Sequence, residues 1–152
     1  MAGTELTSEG GPTVDMRLEV VVVPVSDVDR AKAFYSEKVG FNVDVDQRFG
    51  ERFRVVQLTP PGSACSITMM EGMNPGMEPG SLQGVQITTS DLEAVRKELV
   101  ERGVEVSEIQ TVDQEAGKFV PLEGPATAYN AFIFFNDPDG NGWAIQQGPA
   151  PG

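Results

Sequence analysis

Few side chains in this 152-residue sequence could carry out chemistry, and their types narrow what that chemistry can be. There is no histidine. The commonest metal ligand and the commonest general base near neutral pH are therefore missing, and Ser-His-Asp and Cys-His catalysis are excluded with them. The single cysteine, Cys65, has no histidine to activate it and is expected as a buried structural thiol. Arg54 stands in the run FRVVQLT, and Asp113, Glu115 and Glu123 stand in the long stretch TVDQEAGKFVPLEGPATAY. An arginine turned into a cleft would suit an anionic or enolate-forming ligand. A carboxylate on a long loop could swing over a cleft, and partial burial would raise its pKa towards the range of an acid or base. Arg54 and Gln57 have opposite parity on one strand, so only one of them can face a cleft.

The elements that must position these groups come from a repeat. VPVSDVDRAKAFYSEKVGFNV and ITTSDLEAVRKELVERGVEV align at Ser26-Asp27 with Ser90-Asp91, and at Gly40 with Gly103. Each opens as a strand and continues through a capping box, Ser26 with Asp29 and Ser90 with Glu93, into a helix. Val28, Ala31, Phe34 and Tyr35 share one face of the first helix; Leu92, Val95 and Leu99 share one face of the second. Glycine then ends each helix. FNVDV, FRVVQLT and ACSITMM follow as strands in the first half; VEVSEI, YNAFIFF and WAIQQ follow in the second, with TVDQEAGKFVPLEGPATAY as a loop. Each half therefore reads βαβββ. The fold class is α+β: two βαβββ modules that pair, place helices outside, and form a cleft between curved mixed sheets. The expected boundaries are a flexible tail over residues 1–15, a first module over 16–72, a linker over 73–82, a second module over 83–148 and a tail over 149–152.

Composition limits the partners. Formal net charge is −12, which repels nucleic acid and anionic lipid. No stretch approaches the roughly 20 apolar residues of a membrane span. One cysteine permits no internal disulfide, and the N-terminal residues lack a signal peptide's basic start and apolar centre. The expectation is a cytoplasmic protein with a small organic ligand, no cofactor, no nucleic acid or membrane partner, and a homodimeric state.

The runs VVVPVSDVDRAKAFYSEKVGF and FFNDPDGNGW resemble signatures of the vicinal oxygen chelate superfamily, which includes glyoxalase I, extradiol dioxygenases and bleomycin-resistance proteins. The resemblance covers most of residues 17 to 147. In metal-dependent members, each module supplies one ligand from its first strand and one from its last. The resemblance places those positions at Val20, near Ser66, at Gly84 and at Ala144. None carries a carboxylate, imidazole, amide or thiolate, so no metal is expected. Glu19 and Glu71, the nearest acids, are one residue out of register and should face away.

Strand alternation extends those four positions into a cavity wall. Val22 follows Val20; Thr68 and Met70 follow Ser66; Gln86 and Thr88 follow Gly84; Gln146 follows Ala144. The expected lining is apolar or neutral, as in small-molecule pockets. Phe132 and Phe134 share one face of their strand, and Ile133 and Phe135 the other, so one pair could stack on a planar ligand. Met69, Met70, Met73 and Met77 give either adaptable binding surface or a plug over the core. Trp143 is expected against a helix. The leading function is metal-independent binding of an organic molecule, such as a natural product or antibiotic, in the cleft. The alternative is a metal-independent isomerase, lyase or cyclase that uses Arg54, Asp113 or Glu123. A metal-dependent glyoxalase or dioxygenase ranks last.

Overall fold

The computed structural model describes residues 14–150, so most of the expected N-terminal tail and half of the expected C-terminal tail lie outside the described residues. The first half forms a four-stranded sheet in the order β1-β4-β3-β2, from β1 (Val20–Val22), β2 (Asn42–Phe49), β3 (Phe53–Thr59) and β4 (Ser66–Glu71). The second forms a five-stranded sheet in the order β5-β9-β8-β6-β7. Its strands are β5 (Val85–Thr89), β6 (Gln110–Asp113), β7 (Lys118–Pro121), β8 (Phe132–Asn136) and β9 (Gly142–Gln147). β1 runs parallel to β4 and β5 parallel to β9; the other ladders are antiparallel. Both sheets are therefore mixed, and the α+β fold read from the repeat is the fold observed.

The helices form where the apolar spacing puts them. α1 (Val28–Ala33) runs into a π-helical turn (Phe34–Val39), and α2 spans Leu92–Glu101. Their caps differ from the expected serines. The side chain of Asp27 accepts the Arg30 N–H at 3.0 Å, and that of Asp91 accepts the Ala94 N–H at 3.1 Å. An aspartate in extended backbone satisfies an otherwise unpaired donor of the first turn and opposes the helix dipole, so the cap falls one residue later than the capping box implied. Gly40 (φ +96) and Gly103 (φ +86) close the helices, as expected.

The second sheet also departs from the sequence reading. VEVSEI makes only an isolated bridge, Val106 to Phe135. The strand is β6, which runs from Gln110 into the stretch read as a loop, and β6 and β7 form a hairpin there. The Asp113 side chain accepts the N–H groups of Glu115 and Ala116, each at 3.1 Å, and the Asp113 carbonyl accepts that of Gly117 at 2.8 Å. This closes a tight turn that the polar composition concealed.

The two halves meet through their helix-bearing sides. Tyr35 is fully buried, with its ring 5.6 Å from Trp143 and 5.7 Å from Phe41, and Phe135 stacks on Trp143 at 6.0 Å. The Tyr35 hydroxyl donates to Asp137 at 2.7 Å and accepts from Trp143 Nε1 at 2.9 Å. Asp137 also accepts three backbone N–H groups of its own turn, from Asp139, Gly140 and Asn141. The Asn141 amide donates to the Pro24 carbonyl at 2.8 Å and accepts from the Leu82 N–H at 3.0 Å. The Asp-Pro-Asp-Gly-Asn turn thus ties the start of α1, the linker and β9 into one hydrogen-bonded unit. Trp143 packs against the first helix, as expected.

Candidate functional site

Each sheet has one face packed under helices and one face open. Register fixes which side chains lie on which face, because paired residues point the same way. On β3, Arg54, Val56 and Leu58 are buried on the packed side, while Phe53, Val55 and Gln57 are half-exposed on the other. Gln57 pairs with Thr68, and Val22 pairs with Thr68 across β1. The open face of the first sheet therefore carries Val20, Val22, Ser66, Thr68, Met70 and Gln57. Ser66 and Thr68 are short and buried between their neighbours.

The open face of the second sheet is ordered in two rows. Phe134 pairs with Ala144, and Ala144 with Gln86; Gln110 pairs with Phe132, Phe132 with Gln146, and Gln146 with Thr88. Gln86 Nε2 donates to Gln146 Oε1 at 2.8 Å, and Gln146 Nε2 donates to the Tyr129 carbonyl at 3.2 Å. Gly84 precedes β5 and pairs with nothing there; register puts Gln86, not Gly84, opposite Ala144.

Seven of the ten expected lining residues fall into three groups. Ser66, Gln86 and Thr88 line a cavity of about 290 Å³ between the edge strands β1 and β5, with Val21, Val85, Trp143 and the Pro60–Cys65 turn. Val22 and Met70 line another of about 290 Å³ beneath the linker, with Met73 and Met77. Ala144 and Gln146 lie on the open face of the second sheet beside Phe132 and Phe134. Val20 is partly exposed, in register with Ser66. No cavity described here takes in all ten.

The expected chemical groups stand elsewhere. Arg54 is 7% exposed and donates to Asp29 of α1 at 2.8 Å and to Asp46 of β2 at 2.9 Å, with Glu71 of β4 at 3.7 Å. Gln57, not Arg54, faces the open side. Hydrogen bonds from Arg54 and Lys32 hold the Asp46 carboxyl well below the usual carboxylate range, and hydrogen bonds to Asp46 and Asp29 hold the Arg54 guanidinium above its ordinary range. This cluster pins α1 to its sheet. Glu71 belongs to it and faces away from the open side, as expected. Asp113 is committed to its hairpin turn, and Glu123 lies exposed beyond β7. Cys65 is half-buried at a cavity rim rather than fully buried, because the Pro60–Cys65 turn stands clear of the sheet.

One ring at the open face was not identified from sequence. Phe119, on β7, packs its ring 5.2 Å from Phe132 and 4.8 Å from Phe134. The alternation in KFVP was its only signal, and polar neighbours obscured it. Tyr129 holds φ +69, a conformation uncommon outside glycine, and its carbonyl receives Gln146. The sequence carries no local signal for that conformation.

The donor set does not fit a divalent metal. Val20, Gly84 and Ala144 offer no ligand atom, and Ser66 Oγ is 2.6 Å from Thr59 Oγ1. Gln86 supplies one amide, already bonded to Gln146. Among the described residues, no group of three or more Cys, Asp or Glu side chains is placed to hold a metal ion.

Comparison with known proteins agrees with this architecture. The family model described as the Glyoxalase/Bleomycin resistance protein/Dioxygenase superfamily matches residues 17–145. No curated protein matches the chain. Among solved structures, TnmS3, an antibiotic binding protein from Streptomyces sp. CB03234, is 34% identical with a TM-score of 0.69, covering 90% of this chain and 99% of its own. A glyoxalase/bleomycin resistance protein from the same organism is 35% identical with a TM-score of 0.65, covering 86% of this chain and 100% of its own. A superfamily member from Sphaerobacter thermophilus DSM 20745 is 25% identical with a TM-score of 0.65, covering 88% of this chain and 98% of its own. The matched family model, the paired mixed sheets and these structural likenesses establish that the chain belongs to the glyoxalase/bleomycin resistance/dioxygenase superfamily.

Proposed function

We propose that this protein binds an organic small molecule on the open faces of its sheets, without a metal ion, and sequesters it rather than transforming it. The observation that carries this reading is the open face of the second sheet. Gln86, Ala144 and Gln146 form an uncharged floor beside the rings of Phe132 and Phe134. Neutral amides orient a ligand, and apolar surface supplies affinity. The likeness to an antibiotic binding protein supports the same reading and makes a natural product or antibiotic the first class to test.

Catalysis is the weaker reading because two of the three candidate groups, Arg54 and Asp113, are engaged elsewhere. Arg54 faces α1 and Asp113 caps a turn, so neither stands within reach of the uncharged floor. The remaining lining residues, Val20, Val22, Ser66, Thr68, Met70, Gly84 and Thr88, bring no group that titrates near neutral pH. The acidic surface and single unpaired cysteine support a cytoplasmic location. The exposed apolar arm before β1 supports a homodimer.

The test is loading. Purified protein is mixed with an organic extract of its host cells, desalted and denatured, and the released compounds are measured. The wild type should retain a compound, and Ala144→Arg, which lays a long cation over the floor, should retain about tenfold less. Equal retention by both proteins would contradict the site.

A further inference from the structure

We propose that Asp44 and Thr59 fix the direction of the Ser66 hydroxyl and make it an obligate hydrogen-bond acceptor. The cavity between β1 and β5 then selects a guest whose polar group is a donor, a hydroxyl or an ammonium, over one that offers only an ether or carbonyl oxygen. The proposal rests on the small-molecule reading above and adds to it a specificity determinant on the first sheet.

A β-bulge brings the acid to the open face of the first sheet. β2 and β3 pair regularly except between Val43 and Val45, where the register shifts and Asp44 is the extra residue. Val43 pairs with Leu58 of the packed side, and Val45 pairs with Gln57 of the open side. The bulge re-aims the Asp44 carboxylate onto Thr59, and the Thr59 hydroxyl donates to it. Thr59 lies in turn beside Ser66, with the two hydroxyl oxygens 2.6 Å apart. Asp44 is the one charged side chain that β1 to β4 bring to this face. Asp46, Arg48, Arg54 and Glu71 pair along the packed side.

Counting protons fixes the direction of this chain. A carboxylate only accepts, and a hydroxyl has a single proton to give. Thr59 spends its proton on Asp44, so the contact with Ser66 is made only if Ser66 donates. Ser66 then has no proton left and offers a lone pair. It is 7% exposed and lines the cavity of about 290 Å³ with Val21, Ile67, Val85 and Trp143. Within such apolar walls a donor on the guest satisfies that lone pair. An ether or carbonyl oxygen meets it lone pair to lone pair and gives up its own hydration. The carboxylate at the far end polarises both hydroxyls, which strengthens Ser66 as an acceptor and favours an ammonium further.

Three probes that differ only in their polar group test this by calorimetry: 4-ethylbenzylamine, 4-ethylbenzyl alcohol and the methyl ether of that alcohol. The protonated amine and the alcohol should each bind the wild type at least about fivefold more tightly than the ether. Thr59→Val breaks the chain and frees the Ser66 proton, so the preference for alcohol over ether should fall to within about twofold. Thr59→Ser keeps the hydroxyl and should retain the preference. Asp44→Asn carries an amide that can also donate to Thr59, lets the chain run either way, and should lose it. Glu101→Gln removes the same charge from α2 and should leave it unchanged. The backbone amide resonances of Ser66 and Ile67 should shift on titration with the alcohol. Equal binding of alcohol and ether by the wild type would overturn the proposal. So would a preference that survives Thr59→Val, one that is lost in Thr59→Ser, or shifts confined to the second sheet. A host compound that loads while all three probes fail would overturn the proposal and leave the binding reading standing. Failure of both would overturn both.

Discussion

Tyr35 is the residue on which the two halves depend most. Its hydroxyl is shared by Asp137 and the Trp143 indole in a buried site. Burial, with Asp137 alongside, pushes the phenol above its ordinary range, so it stays protonated and keeps donating. Tyr35→Phe removes one hydroxyl and leaves a buried indole N–H without its partner. Unfolding in urea should show a loss of about 1–3 kcal/mol. Asp46 gives a prediction that depends on pH. Its folded-state pKa is depressed, so its contribution is present above the unfolded value, roughly 3.9, and is lost as pH falls through the folded one. Thermal melts should show a drop in stability below about pH 4 that is smaller in Asp46→Asn, which no longer carries that linkage. At this scale much was legible. Strand parity correctly separated Arg54 from Gln57 and turned Glu71 away, because alternation is a backbone property. Which of Arg54 and Gln57 faced the helix was not legible, since that depends on Asp29 and Asp46 arriving from other elements.

At the scale of elements, the repeat revealed both helices and most strands because their apolar spacing is strong. It missed the β6–β7 hairpin, whose turn is polar and whose strands are four residues each. Phe119 was lost with it, and Phe119 completes the ring cluster at the site. The helix caps moved by one residue because the side chains of Asp27 and Asp91 reach the N–H groups of Arg30 and Ala94. Ser26 instead donates to Asp139 at 2.6 Å, a contact 113 residues away in sequence that no local pattern announces. The linker is seated as tightly. Gly80 holds φ +83, and a Cβ there would lie 2.1 Å from the Asp139 carbonyl oxygen. That neighbour is backbone and cannot rotate away. Gly80→Ala should therefore cost about 2 kcal/mol and lower the melting temperature by roughly 5 °C. A melt indistinguishable from wild type would show that the linker is not seated against the turn.

At the scale of the whole molecule, the segment leading into β1 leaves a row of apolar side chains uncovered. Val14, Met16 and Leu18 are 76%, 83% and 81% exposed, and they alternate with Asp15, Arg17 and Glu19. From Val14 to Val23 there is no glycine, proline or asparagine to turn the chain back. An extended arm with an apolar row calls for cover, and a second copy offers it reciprocally about a two-fold axis. Sedimentation should show a dimer, and Met16→Asp with Leu18→Asp should shift it towards monomer; a wild-type monomer would contradict the arm's role. Among the described residues no helix is long and apolar enough to cross a membrane. The central claim concerns occupancy: an uncharged, ring-lined face should hold an organic molecule, and positions emptied of ligand atoms should hold no metal. Native mass spectrometry of the untagged protein from its own host, followed by metal analysis after washing with EDTA, tests both parts at once. The predicted result is an organic adduct released on denaturation with no stoichiometric divalent ion. One tightly held divalent ion per chain, with no organic adduct, would contradict the account.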